Sequence, residues 1–256
     1  MPYFERLDDH RFLATDEVSG AWRVEDQHIA PALGLLAHAV EVDRDQRRSD
    51  GLQIGRLSYD ILGTVPVEVV ELEVRVVRAG RTIELVEASL RHQDRDIVLL
   101  RAWLMQPGEN RHVAGTPLPP MPAPADLEPW DPTTVWPGGF IASAEVRRDE
   151  DEPGRARFWV RSRTTLLDDE PVSDLARFAG LLDIANGMTV RAEPTEVAFP
   201  NVDLTAHFFE QPQGEWVGFD TSVSFGAGGL GLTSSVIHDE RGPVGTLAQT
   251  LTVRPG

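Results

Sequence analysis

Apolar residues along this chain switch between two periods, and the switch happens twice. Ile29-Ala-Pro-Ala-Leu-Gly-Leu-Leu-Ala-His-Ala-Val is small or apolar on nearly every helical face. That predicts a helix buried almost all round, with Pro31 in its first turn. Leu52 to Leu62, Val65 to Arg78, Thr82 to His92 and Ile97 to Met105 are rich in Val, Ile and Leu and partly alternate with polar residues. They predict strands, with turns at Ala79-Gly80 and Gln93-Asp94-Arg95-Asp96. The order then returns. A strand or two is expected from Phe140 to Arg163, then a second helical segment over Leu166 to Ala185, whose acidic residues before Pro171 suit a helix N-terminus. Strands follow over Val197 to Glu210, Glu215 to Phe225, Gly231 to Asp239 and Val244 to Val253.

The residues repeat as well as the pattern. Gly34-Leu35-Leu36-Ala37 answers to Gly180-Leu181-Leu182-Asp183, and Ser89, His92, Val98 and Ala102 answer to Ser235, His238, Val244 and Ala248, both sets offset by 146 (180 − 34 and 238 − 92). A shared offset at two separated places implies duplication of a whole unit. Each copy reads as strand, buried helix, then antiparallel meander. The expected fold is therefore α+β, a double hot-dog with two tandem sheets, each wrapped around a buried helix. Proline dominates Pro107 to Pro132 and predicts an extended surface connector. The expected organisation is an N-terminal hot-dog over 1–107, a Pro-rich linker over 108–132 and a C-terminal hot-dog over 133–256.

Composition narrows the function classes. With 41% apolar residues among 256, the chain can bury a core, while no apolar run approaches the roughly 18 residues of a spanning helix. No secretory signal is visible at Met1-Pro-Tyr-Phe-Glu-Arg-Leu-Asp-Asp, so a cytoplasmic location is expected. Cysteine is absent, which excludes disulfides and thiolate chemistry. A net charge of −17 opposes phosphate backbones and anionic lipid, so neither nucleic acid nor membrane is expected as a partner. Exposed sheet edges favour a homo-oligomer.

The differences between the copies carry the candidate chemistry. Asp183 replaces Ala37, Asn201 lies near the position of Ser58, and Gln249 replaces Trp103. An ionised Asp183 within Phe178-Ala-Gly-Leu-Leu-Asp-Ile-Ala costs several kcal/mol unless it is hydrogen-bonded or reaches a wet cavity. It marks either one solvated helix edge or a site. Gln249 shares a strand face with Leu247 and Leu251, as a satisfied core amide or as a positioner of water or carbonyl. Asn201, after Pro200, is either a turn residue or a site residue beside Asp203, Thr205 and His207. Asp203, matched with Asp60, suggests a structural role. The histidines show no ligand spacing, and His92 and His238 are expected in matching exposed turns, so no metal is expected. Gly226-Ala-Gly-Gly-Leu-Gly leads into a strand rather than a helix and reads as a turn, not a phosphate cradle.

Leu181-Leu-Asp183, Phe199-Pro-Asn-Val-Asp-Leu-Thr205 and Leu247-Ala-Gln-Thr-Leu-Thr-Val-Arg254 resemble the three active-site segments of the acyl-CoA thioesterase II family, in its actinobacterial thioesterase-like branch. The resemblance covers nearly the whole chain. Asn201 stands where threonine is commoner, and the family's glycine-rich helix entry is replaced by Gln27-His-Ile-Ala-Pro-Ala-Leu-Gly34. The resemblance implies an acyl-CoA thioesterase of lipid metabolism that needs no cofactor. In it Asp183 orients or deprotonates the hydrolytic water, and Asn201 and Gln249 fix its position. Backbone N–H groups near a helix N-terminus stabilise the oxyanion.

Two other functions fit parts of the pattern. An acyl-thioester dehydratase or hydratase would need a histidine base in His-x-x-x-Gly-x-x-x-x-Pro of the first copy. No histidine there has Gly four residues later, and His238, which has Gly242, lies in the second copy without the later proline. A non-catalytic acyl-CoA-binding hot-dog protein would keep the fold without turnover.

Overall fold

The computed structural model describes residues 1–255. The first half runs β1 (Phe4–Arg6), β2 (Arg11–Ala14), α1 (Ile29–Arg47), β3 (Gln53–Ile61), β4 (Val69–Arg78), β5 (Ile83–His92) and β6 (Arg95–Met105). The second runs β7 (Glu128–Trp130), α2 (Gly139–Ser143), β8 (Ala144–Glu152), β9 (Arg155–Ser162), α3 (Asp174–Ala179), β10 (Val197–Ala198) and β11 (Asp203–Phe208). It ends with β12 (Val217–Phe225), β13 (Leu230–Asp239), β14 (Gly242–Thr252) and β15 (Arg254–Pro255). One 13-stranded antiparallel sheet carries the order β1-β2-β4-β5-β6-β3-β11-β14-β13-β12-β9-β8-β7. β10 and β15 pair separately. No helix among the described residues is long and apolar enough to cross a membrane.

The sheet order is nearly a palindrome about the β3–β11 seam, as two copies of one unit require. Helix α1 is apolar on every side from Ala30 to Ala37 because it lies inside the curl, against β4, β5 and α3. The apolar residues of both halves form one cluster that includes Leu33, Leu36, Phe140, Phe158, Phe199 and Phe219. The duplication shows in the register of β5 with β6 and of β13 with β14. Leu90 pairs with Val98 and Ile237 with Gly245, each just before a bulge, so the strands of the two halves are offset by 147 (237 − 90). At that offset Ser58 is the counterpart of Thr205, and these two residues are also direct cross-strand partners with their hydroxyls 2.8 Å apart. Gly34 and Gly180, counterparts on the helices, also meet, since a Cβ on Gly34 would lie 2.8 Å from the Gly180 Cα. The pseudo-two-fold axis passes through both pairs.

This register corrects several expectations. The counterpart of Gln249 is Ala102, not Trp103, and that of Asn201 is Ile54 rather than a residue near Ser58. A one-residue slip changes the face of every side chain, and Ala248 is accordingly exposed where Ala102 is buried. Asp60 and Asp203 are cross-strand neighbours, not counterparts. His238 is buried, because the bulge after Ile237 turns it inward and its ring meets the Pro119 carbonyl at 3.1 Å. The region from Phe140 begins as helix α2 before β8 starts at Ala144.

The second helix is shorter than its pattern suggests. Ser173 Oγ caps it at the Ala176 N–H, 3.0 Å away, and regular helix ends at Ala179. The acidic residues before Pro171 do not start it. Glu170 instead binds Arg6 at 2.6 Å and lies 3.2 Å from His38, tying the halves together. Beyond Gly180 the chain tightens into a single 3₁₀ turn, Leu182–Ile184. The Gly226–Gly229 segment forms the expected β12–β13 turn, with Gly229 at φ 85°.

Candidate active site

The 3₁₀ turn determines where Asp183 goes. Leu182 and Ile184 both pack into the core, so the residue between them is carried inward as well. Asp183 is only 6% exposed. The Asn201 Nδ2–H donates to Asp183 Oδ1 at 2.6 Å, and the Gln249 Nε2–H donates to the same oxygen at 3.0 Å. The structure therefore brings all three sequence-derived candidates into one cluster. Asn201 sits between β10 and β11, bridged to Leu251 of β14, and its Nδ2 also donates to the Asp203 carbonyl at 3.2 Å. Gln249 reaches the carboxylate because the alternation of β14 turns it inward with Leu247 and Leu251. Its Oε1 is buried without a hydrogen-bond partner among the described residues. Asp203 is structural, as expected: its Oδ1 accepts from the Thr250 N–H at 2.6 Å.

Electrostatics follow from this packing. Burial penalises the ionised carboxylate and is the largest influence, while the two amide donors favour ionisation and oppose it. The balance pushes the Asp183 pKa up to about 7. A carboxylate so placed can take a proton near neutral pH and return it, as a general base requires.

Asp183 and Asn201 open onto a cavity of about 350 Å³ between the halves, whereas Gln249 stands behind the carboxylate. Trp22, Trp136 and Phe199 line it as an aromatic wall. Trp22 packs edge-on against Trp136 at 4.8 Å and Phe199 at 5.3 Å, and Trp136 is pinned by its indole N–H to the Gly187 carbonyl at 2.8 Å. From the first half come His28 and Ile29, so the N-terminus of α1, where the helix dipole is positive, faces the same space. Arg254 stands at the rim.

Sequence reading missed the aromatic wall and His28. Trp136 lies just past the proline-rich connector, and Trp22 lies in a loop with no periodicity. The available signal was compositional: both tryptophans fall outside every expected strand and helix. His28 precedes a proline-containing helix start and caps it, with Nδ1 accepting from the Ala30 N–H at 3.2 Å.

Comparison with known proteins bears on both the fold and the family. No curated protein matches this chain. Among solved structures, a protein of Novosphingobium aromaticivorans provisionally named a thioesterase is 22% identical, with 99% of each chain covered and a TM-score of 0.73. The acyl-CoA thioesterase II TesB2 of Mycobacterium marinum is 18% identical, covering 99% of this chain and 96% of its own, with a TM-score of 0.70. A hot-dog protein of unknown function from Alicyclobacillus acidocaldarius reaches 0.76 at 16% identity, over 97% and 95%. These likenesses show the double hot-dog fold. The model of the acyl-CoA thioesterase N-terminal domain matches residues 18–105, and that of the C-terminal domain matches residues 117–253. By these two matches, which span most of its length in the right order, the chain belongs to the acyl-CoA thioesterase family.

Proposed function

We propose that this protein hydrolyses acyl-CoA thioesters, with Asp183 as the general base for water. The observation that carries the reading is a buried carboxylate, its pKa raised to about 7, held by two amides at the wall of a largely apolar cavity. The acyl group would lie along the aromatic wall. Water beside Asp183 attacks the thioester carbonyl carbon as its proton passes to the carboxylate, and the carbonyl π pair moves onto oxygen. Collapse of this intermediate breaks the C–S bond, and the thiolate leaves and takes the proton from Asp183. A thiolate is a good leaving group, so no separate acid is required. Asn201, which faces the cavity, positions both carboxylate and water. Gln249 acts from behind as a positioning residue that fixes the carboxylate plane.

The test is hydrolysis of acyl-CoAs from short to long chain, read by thiol release, with Asp183→Asn and Gln249→Ala in parallel. Turnover by the wild type that falls by more than about a thousandfold in Asp183→Asn is expected for loss of a general base acting on a positioned water. Absence of turnover on every substrate, with acyl-CoA still raising the melting temperature, would replace this reading with a binding function.

A further inference from the structure

We propose that the side chain of His28 is a catalytic residue, its Nε2–H donating a hydrogen bond to the thioester carbonyl oxygen as negative charge develops there. The inference deepens the thioesterase reading and rests on it. Three observations carry it.

The first is placement. His28 lines the same cavity as Asp183, but from the first half of the chain, while Asp183 comes from the second. Base and carbonyl donor must approach the thioester from different directions, since water attacks the carbon while the oxygen is held elsewhere.

The second is the tautomer. Nδ1 accepts the Ala30 N–H at 3.2 Å. An accepting Nδ1 carries no proton, so the neutral ring carries its hydrogen on Nε2. Among the described residues nothing accepts from Nε2, and this atom is absent from the buried polar atoms that lack partners. With one edge of the ring committed to the backbone, the edge left for the cavity is the Nε2 edge. The same bond removes the Ala30 amide from the donors that the helix N-terminus offers directly. It passes the polarisation of α1 through the imidazole, which strengthens the Nε2–H as a donor.

The third is rigidity. The His28 backbone N–H is fixed to the Val18 carbonyl at 2.7 Å, and its ring lies against Phe140 with centroids 4.3 Å apart. A donor held this way requires no reorganisation as the oxyanion forms. Burial also pushes the imidazole pKa down to about 3, so the ring is neutral throughout the range in which Asp183 titrates. It therefore donates without competing for the proton of the water.

The experiment separates the two edges of the ring. In His28→Asn the amide oxygen can keep the cap at Ala30 but no donor reaches the Nε2 position. In His28→Gln the amide nitrogen reaches that position and the cap is lost. Both are measured with the acyl-CoA that the wild type turns over best, alongside thermal melting. The expected result is a fall in kcat of about a hundredfold to a thousandfold for His28→Asn, with KM and melting temperature nearly unchanged. His28→Gln is expected to recover at least tenfold of that loss while melting lower. His28→Asn activity within about threefold of wild type would overturn the proposal. So would a loss that His28→Gln does not recover, which would confine His28 to shaping the helix start. If the wild type itself turns over no acyl-CoA, the thioesterase reading fails first, and the two failures are thereby distinguished.

Discussion

Asn201 and Asp183 are 18 residues apart in sequence and 2.6 Å apart in space, joined through the same carboxylate oxygen that Gln249 also holds. Each amide favours the ionised carboxylate against the burial that opposes it. Removing one amide should therefore raise the pKa further. Hydrogen bonds to charged groups contribute about 1.5–3 kcal/mol, equivalent to one pH unit or more. In Asn201→Ala and Gln249→Ala the pH of half-maximal kcat/KM should move upward by about one unit, as measured by rate profiles from pH 5 to 9. A profile that keeps its midpoint while losing height would show that the amides hold the water instead.

The wild-type profile follows from the same carboxylate. Asp183 accepts a proton only when ionised, and its pKa stands at about 7. Thus kcat/KM should reach a plateau above that value and fall about tenfold per pH unit well below it. His28, neutral down to about pH 3, should add no second limb in this range. A profile flat from pH 5 to 9 would remove Asp183 from the role of base.

Stability should run opposite to activity. The folded pKa of Asp183 lies above its ordinary value of 3.8, so the native state binds the extra proton between the two values. Stability is then greatest below about pH 4 as far as this group is concerned, declines as pH rises, and is lowered in full once pH passes about 7. The difference corresponds to at most about 4 kcal/mol. Asp183→Asn keeps an oxygen for both amide donors and removes the charge. At pH 8 it should melt several degrees higher than wild type, with the gap closing as the pH falls toward 4, as read by thermal melts across that range.

On the proposed function, the aromatic wall limits the acyl group. Trp22 is 44% exposed, yet its ring covers Trp136 and Phe199 at one side of the cavity. Trp22→Ala should therefore leave the fold intact and open that side. The expected outcome is a rise of at least about tenfold in the kcat/KM ratio of long to short acyl-CoAs, since even one further methylene accommodated in an apolar pocket is worth about 1–3 kcal/mol. An unchanged ratio would put the acyl chain elsewhere.

Periodicity and repetition in the sequence made most of the fold legible. The strands from Leu52 to Met105 and from Glu215 to Val253 lie within a few residues of their expected limits, and α1 is as buried as its composition requires. Asp183 and Gln249 stood out because a polar group at an apolar position conflicts with its surroundings. What the sequence did not disclose is geometric. The offset of the strand copies differs by one residue from that of the helices, and only pairing register reveals it. His28 and Trp22 lie in irregular backbone, where no period marks a face, so their arrival at the cavity depends on how the halves close. Helix α3 ends early at Gly180, which meets Gly34 of α1, and no period in the sequence marks that contact.

That contact makes its own prediction. A Cβ on Gly34 would lie 2.8 Å from both the Ala176 carbonyl oxygen and the Gly180 Cα, and 2.9 Å from the Gly180 nitrogen. All three are backbone atoms, so nothing flexible can give way and the helices must separate. On Gly180 the same addition meets atoms no nearer than 3.4 Å, which is ordinary contact, and its φ of −66° suits any residue. The two glycines are counterparts by duplication yet should respond differently. Gly180→Ala should be neutral or slightly stabilising, by up to about 1 kcal/mol, because alanine adopts the same backbone with less unfolded-state freedom to lose. Gly34→Ala should lose about 1–3 kcal/mol through overpacking, measured by denaturant unfolding. It should also lower turnover, because moving α3 away from α1 moves the turn that presents Asp183 relative to the helix start at His28. Equal effects of the two substitutions would mean that the helices adjust without cost and that their close approach does not set the geometry of the site.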